Sequence, residues 1–278
     1  MNYRHIYHAG NFADLLKHAL LTRILRAMTT PRGALTIIDT HAGAGVYDLL
    51  GDAALRTGEA DAGVGRLLRA CRPPIVFNDL LAAVRRVNEA NEARFYPGSP
   101  VIIAAAMRTQ DRYIACEMRA DDHAALKAAL PREMGAEILR VDGWTAAADR
   151  APPSPGRLLI LIDPPFERPD DADQAVGLSA RVLRRNAAAV IAVWVPIKDL
   201  TGFDALLTAY RDGTVPAPMM VAEVRLRPLS DPMKMNGCAL IVINPPAGLD
   251  EDALAAAEWI AAHIGEPGGM GRVERIAM

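Results

Sequence analysis

Aromatic residues and cysteines are both scarce in this chain. Phenylalanine, tyrosine and tryptophan make up 5% of 278 residues, so an aromatic ring at a chemically loaded position stands out. The three cysteines, Cys71, Cys116 and Cys238, are scattered and include no CxxC pair. That excludes a disulfide scaffold and a zinc ribbon, and predicts reduced thiols in an intracellular protein. Long hydrophobic runs are also missing: the longest, Ala187 to Ile197, is too short to span a bilayer. The first ten residues, MNYRHIYHAG, hold no hydrophobic signal core. A cytoplasmic protein with no membrane partner is therefore expected. Excess charge is lacking too. A net charge of −2 gives no global attraction to nucleic acid.

The charge that is present is unevenly spread. From Met1 to Ala34 the bases Arg4, Lys17, Arg23, Arg26 and Arg32 face one acid, Asp14, whereas acids dominate after Gly248. This asymmetry fits a basic face that meets phosphates, and equally a set of solvated helix faces.

Apolar spacing predicts a helix over Asn11–Met28, with Asn11 as N-cap and Asp14 at the acid position of a capping box. Short apolar runs predict strands at Ala34–Asp39, Arg112–Glu117, Glu137–Asp142, Arg157–Asp163 and Ala188–Ile197, with helical stretches between them. Strands alternating with helices imply a parallel sheet covered on both faces. A helix at 202–212 then leads to two strands joined by a loop too short for a crossover, which should pair antiparallel. Five parallel strands, a helix and a hairpin make up the class I methyltransferase pattern. The expected fold is α/β and Rossmann-like: a mostly parallel seven-stranded sheet, a terminal antiparallel hairpin and a small helical insertion after the first strand. The methyltransferase domain is expected at 1–46 and 97–278, opening with a helical motif at 1–30, and the insertion subdomain at 47–96. The helix after the insertion should begin with Ser99 as N-cap and Pro100 at the first helical position.

In a doubly wound sheet, ligands bind beyond the carboxyl ends of the strands. Acids end four of the predicted strands: Asp39, Glu117, Asp142 and Asp163. Gly43 and Gly45 of HAGAG let the backbone pass close to a ligand. There is no third glycine leading straight into a helix, which weakens a nicotinamide reading. Glu117 is placed to accept from ribose hydroxyls, and Asp142 with Gly143 to border an adenine ring. A cofactor with ribose and adenine but no pyrophosphate fits, and S-adenosylmethionine is such a molecule. The stretch LLILIDPPFE ends a buried strand on Asp163, Pro164, Pro165 and Phe166. An oxygen of Asp163 and the carbonyl of Pro164 can accept both hydrogens of a nucleobase amine, leaving its lone pair free to attack a sulfonium methyl. Phe166 can stack on the extruded base. This is the D/N-P-P-Y/F motif of amino-methyltransferases. Asn244-Pro245-Pro246 repeats part of it without the aromatic, on a strand expected to run opposite to the others, and reads as a turn. Histidines with neither a cysteine partner nor HExxH spacing give no reason to expect a metal.

Several long stretches resemble the bacterial RlmJ-type methyltransferases: YRHIYHAGNFADLLKH (Tyr3–His18), DTHAGAGVY (Asp39–Tyr47), RTGE (Arg56–Glu59), YPGSP (Tyr96–Pro100), DGW (Asp142–Trp144), LILIDPPFE (Leu159–Glu167) and LIVINPP (Leu240–Pro246). The resemblance implies methylation of the N6 amine of one adenine in 23S ribosomal RNA, with S-adenosyl-L-methionine as donor, S-adenosyl-L-homocysteine as product, and no metal. It implies cofactor contacts at His18, His41, Ser99, Glu117, Asp142, Gly143 and Asp163. Asp163 is also the implied catalytic acceptor, with Pro164 and Phe166, and Tyr3, Phe166 and Lys17 are assigned to the substrate. A monomer is expected. The chain departs from the family at Phe166, commonly tyrosine, and at Phe12, commonly histidine. The competing expectations are a DNA adenine-N6 or RNA guanine-N2 methyltransferase, a nicotinamide-dependent oxidoreductase, and a non-catalytic RNA-binding protein.

Overall fold

The computed structural model describes residues 4–88, 94–130, 135–213, 217–229 and 235–276. A single helical turn, His5–Tyr7, precedes helix α1 (Phe12–Thr29). Asn11 caps this helix as expected, its side-chain oxygen accepting from the N–H groups of Ala13 and Asp14. Asp14 does not close the capping box. It accepts from the Gly10 N–H at 2.8 Å, one residue before the cap.

Strand β1 (Leu35–Asp39) leads through the HAGAG loop into β2 (Val46–Asp48). Then come α2 (Asp52–Thr57), α3 (Arg66–Arg69), α4 (Asn78–Arg86) and β3 (Phe95–Pro97). β2 and β3 pair antiparallel with Tyr47 opposite Tyr96, so the intervening chain leaves and returns through one two-stranded neck. The core resumes with α5 (Ser99–Ala106), β4 (Arg112–Cys116), α6 (Ala120–Ala129), β5 (Ala136–Leu139) and α7 (Gly143–Arg150). β6 (Arg157–Ile162), α8 (Asp171–Arg185), β7 (Val190–Ile197) and α9 (Leu200–Gly213) follow. The last elements are β8 (Met219–Arg225), β9 (Gly237–Ile243), α10 (Leu249–Ile264) and β10 (Met270–Ile276).

The main sheet runs β10-β8-β9-β7-β6-β1-β4-β5. Its first five strands in sequence, β1, β4, β5, β6 and β7, are parallel, and β9 is antiparallel to both β7 and β8. This is the Rossmann-like class I methyltransferase fold, with one correction. The sheet has eight strands rather than seven, because α10 and then β10 follow the hairpin. β10 adds at the edge, antiparallel to β8, and carries Arg272, Glu274 and Arg275 on a half-exposed strand. Charged, short edges of this kind resist pairing with another chain.

Both faces of the sheet are covered. Along β6, Leu159 and Leu161 pack toward the layer that contains α1 and α10, while Leu158, Ile160 and Ile162 pack toward α7, α8 and α9. This period of two, apolar on both sides, is why the strand reads as a continuous hydrophobic run. From β1 the chain winds outward through β4 and β5, then returns to place β6 on the other side of β1. The topological switch point therefore lies between β1 and β6, whose carboxyl ends carry Asp39 and Asp163.

Candidate active site

A cavity of about 820 Å³ opens at the carboxyl edge of the sheet. Ligand pockets typically measure roughly 300–1,000 Å³. Its lining includes Lys17, His18, His41, Ser99, Glu117, Asp142, Gly143, Asp163, Pro164 and Phe166. Ten of the eleven residues singled out in the sequence thus meet on one wall system. The eleventh, Tyr3, lies outside the described residues.

Asp163 follows β6 directly, and the Pro164-Pro165 pair stops the strand because neither proline can donate to a ladder. Phe166 then adopts φ 50°, a left-handed conformation that costs a non-glycine residue on the order of 1–3 kcal/mol. This turn brings its ring to 6.0 Å from the Trp194 ring, centroid to centroid.

The neighbour of Asp163 comes from 146 residues away. Lys17 Nζ donates to Asp163 Oδ2 at 2.6 Å and lies 2.9 Å from Asp14 Oδ1. Its side chain is 4% exposed, so a role as an open substrate contact is not what the geometry displays. Burial would favour the neutral amine, but the Asp14 and Asp163 carboxylates outweigh it and raise the Lys17 pKa. Burial likewise opposes ionisation of Asp14, yet His5 and Lys17 hold its carboxyl well below the ordinary range. His5 Nε2 closes the chain, 3.0 Å from Asp14 Oδ2. The network His5–Asp14–Lys17–Asp163 reaches from the N-terminal segment to the proline turn. In the sequence Asp14 is legible only as a capping acid.

At the other end, Glu117 follows β4 and accepts from the Gly43 N–H at 2.9 Å and the Arg119 N–H at 2.7 Å. Burial raises its pKa. Asp142 caps α7, accepting from Thr145 N–H, and also faces the cavity. It stands three residues beyond β5, not at the strand end as expected. His41 packs edge-on against Trp144 at 4.9 Å, and burial pushes its pKa down to about 4. His18 Nδ1 lies 2.8 Å from the Tyr96 hydroxyl, and burial lowers its pKa to about 3. Both imidazoles are therefore neutral near pH 7.

Two expectations change here. Ser99 is the first residue of α5 and Gly98 precedes it as the cap; the Ser99 hydroxyl instead donates to Asp39 Oδ2 at 2.7 Å. Asp39 itself lies beneath the cavity, 0% exposed, so only three of the four strand-associated acids face the ligand space. Gly43 lines the cavity with φ 67°, and the protein's own packing also requires it: a Cβ there would sit 2.2 Å from the Tyr47 hydroxyl, and one on Gly143, at the start of α7, 1.9 Å from the Thr40 carbonyl. Asn244 spends its amide on the carbonyls of Ala187 and Ala189, away from the cavity, and holds a turn.

Burial drives the Asp39 pKa up to about 7, against the pull of the Ser99 hydrogen bond. Its folded value exceeds its unfolded one, so the folded state binds the extra proton between about pH 4 and 7 and stability falls as pH rises through that window. Asp39→Asn removes this slope. Its melting temperature relative to wild type should rise by several degrees between pH 5 and pH 8, a change of about a few kcal/mol. Parallel melting curves for the two proteins across that range would contradict the assignment.

The model of the family described as ribosomal RNA large subunit methyltransferase D, RlmJ, matches residues 32–277. The chain belongs to the RlmJ family. A ribosomal RNA large subunit methyltransferase J of Escherichia coli (strain K12) is 31% identical over 271 residues, covering 98% of this chain and 96% of that one. The protein of the same name from Haemophilus influenzae is 32% identical, covering 90% of this chain and 89% of its own. A crystal structure of a Legionella pneumophila protein superposes with a TM-score of 0.87 at 27% identity, covering 96% and 98% of the two chains. The RlmJ model begins after α1, so Asp14, Lys17 and His18 lie outside its matched stretch.

Among the described residues no group of three His, Cys, Asp or Glu side chains is arranged to hold a metal ion. Nor is any described helix long and apolar enough to cross a membrane.

Proposed function

We infer that this chain transfers a methyl group from S-adenosyl-L-methionine to the exocyclic N6 amine of an adenine in 23S ribosomal RNA, releasing S-adenosyl-L-homocysteine. The observation that carries this reading is the placing of Asp163. Lys17 donates to Oδ2 at 2.6 Å, and the residue lines the cavity with Oδ1 left to accept a hydrogen.

An amine conjugated to a purine is a weak nucleophile because its lone pair is shared with the ring. Asp163 Oδ1 and the Pro164 carbonyl accept its two hydrogens, which favours a pyramidal nitrogen. The proline pair restricts how far that carbonyl can drift. Phe166 offers a face for a base removed from its helix, and base–aromatic stacking is worth about 1–3 kcal/mol. The family's tyrosine would add a hydroxyl, but the stacking face is common to both. When bound, the cofactor supplies an electrophilic methyl on a sulfonium, so no metal is needed.

The residues of the cavity's other end fit such a cofactor. Glu117 and Asp142 follow neighbouring strands, suited to ribose hydroxyls and to an adenine edge beside Gly143. The glycine loop runs into β2 rather than directly into a helix, which argues against the pyrophosphate site of a nicotinamide enzyme. His41, neutral at pH 7, with Ser99 and His18, completes the cofactor side in this reading. Tyr3 belongs to the substrate side, and Lys17 acts by holding Asp163. Residues 1–46 and 97–278 serve as the methyltransferase domain, with 47–96 as a cap over the substrate. The reading includes a cytoplasmic monomer.

The test is transfer of labelled methyl to 23S RNA that lacks the modification, followed by digestion to nucleosides and mass identification. N6-methyladenosine at one position is expected. A methylated guanosine, transfer to DNA in preference to RNA, or cofactor binding without turnover would overturn the reading.

A further inference from the structure

The cavity does not end at Phe166. Its lining continues over Trp194, Pro196 and Lys198 of the β7 end and over Arg227 and Met235, which flank the β8–β9 hairpin. Trp194, Pro196 and Lys198 stand at alternate positions along and just past β7, so they share one face. Charge is unevenly spread over the lining. Glu117, Asp122 and Asp142, with Arg119 paired to Asp122, stand around the ends of β4 and β5, whereas Lys198 and Arg227 stand past the ends of β7 and β8.

The two cations are set on a built frame. Ile197 of β7, Gly237 of β9 and Arg225 of β8 lie in one row across the sheet. Lys198 is one residue past the end of β7, and Arg227 two past the end of β8, so both emerge from the same edge about 10 Å apart, two strand spacings. Buried Asn236 ties the frame together. Its N–H donates to the Ile197 carbonyl at 2.9 Å, its amide to the Lys198 carbonyl at 2.9 Å, and its own carbonyl accepts from Leu226 N–H at 2.8 Å. Lys198 is exposed and has no carboxylate partner among the described residues. Arg227 pairs with Glu266, an acid 57% exposed, through Nε and one terminal nitrogen, and so keeps donors to spare.

We propose that Lys198 and Arg227 form a phosphate clamp that grips the RNA backbone on either side of the nucleotide presented to Asp163. This rests on the RNA-methylating reading above. A base seated against Phe166 with Trp194 beside it leaves its own strand on this side of the cavity. That is where Lys198 and Arg227, set on a fixed edge, meet phosphate charge, the acid paired with Arg227 being surface-exposed. The clamp positions the strand and does not read its sequence.

The test measures binding and transfer with an RNA fragment containing the methylated site, across a salt series, for wild type, Lys198→Ala, Arg227→Gln and the double variant. Each lost phosphate contact should flatten the dependence of log Kd on log salt by about 0.7, so the double variant loses about 1.4 in slope. RNA affinity at low salt should drop about tenfold or more in the double variant, while Lys198→Arg restores the slope of the Lys198 site. Calorimetric affinity for S-adenosyl-L-homocysteine and the melting temperature are the controls for fold, and should not move. Wild-type protein that methylates the RNA while the double variant keeps both slope and affinity sinks the clamp and leaves the function intact. Salt-dependent RNA binding that flattens in the variants, with no methyl transfer by wild type, sinks the function and leaves the clamp.

Discussion

Asp163→Ala is expected to abolish methyl transfer, lowering kcat by at least about a thousandfold while RNA binding persists. Removing one preorganised group aimed at developing charge commonly costs a factor of about a hundred to a thousand. Here the same side chain also orients the amine for in-line attack, which adds a positioning loss. The variant distorts the network as well, because Lys17 keeps only Asp14 as its anionic partner. Asp163→Asn separates these effects. An amide oxygen still accepts one amine hydrogen, so about one part in ten to a hundred of the activity should survive, the worth of a hydrogen bond to a charged group. Single-turnover transfer with saturating RNA reads both. An Asp163→Ala enzyme within tenfold of wild type would show that Asp163 is not the acceptor.

Lys17→Met should be the most destabilising single change in the site. The ammonium lies between two carboxylates and is almost wholly buried. Removing one partner of a buried ion pair strands an uncompensated charge at a cost of about 3–5 kcal/mol. For a chain of this size that is roughly 6–20 °C of melting temperature. The pH dependence gives the signature. In wild type the Asp14 carboxyl is depressed, so its contribution is present above the ordinary carboxylate range and is lost as pH falls through the folded value. Without the ammonium, Asp14 becomes easier to protonate, and the deficit of Lys17→Met should narrow below about pH 5. Adding Asp14→Asn to Lys17→Met should recover part of the loss at neutral pH. A variant that melts within 2 °C of wild type at pH 7 would mean that the pair is no more than a surface contact.

The sequence reveals this site unevenly, and the reasons are physical. Asp163-Pro164-Pro165-Phe166 is legible because a buried strand has little reason to end on a carboxylate and two prolines unless the turn itself matters. Glu117 and Asp142 are legible because strand and helix periods mark where the carboxyl edge must lie. The parallel sheet and the antiparallel β8–β9 pair follow from element order and loop length alone. The partnership of Lys17 with Asp163 is invisible, since it joins residues 146 positions apart and each looks ordinary among its neighbours. Asp39 shows the opposite failure. It stands at a strand end like the other acids, yet Ser99 and its own burial turn it into a support beneath the cavity. β10 escapes notice because its pattern mixes charge with Met270, Val273 and Ile276, as an edge strand does. The basic N-terminal stretch reads equally as a phosphate-binding face or as solvated helix faces, and Arg23 pairs with Asp252 at 2.6 Å and Arg26 with Asp79 at 3.5 Å.

The packing of α1 on α10 has a consequence for synthesis. The helix that carries Asp14 and Lys17 is made long before α10, the helix that packs on its apolar side. Until α10 has been made, leucines of α1 in this layer stay uncovered, and until β6 has been made the lysine has no strand-end aspartate to face. Loss of the segment that carries α10 would therefore disable a helix made far earlier, and a nascent chain needs shielding until α10 has followed.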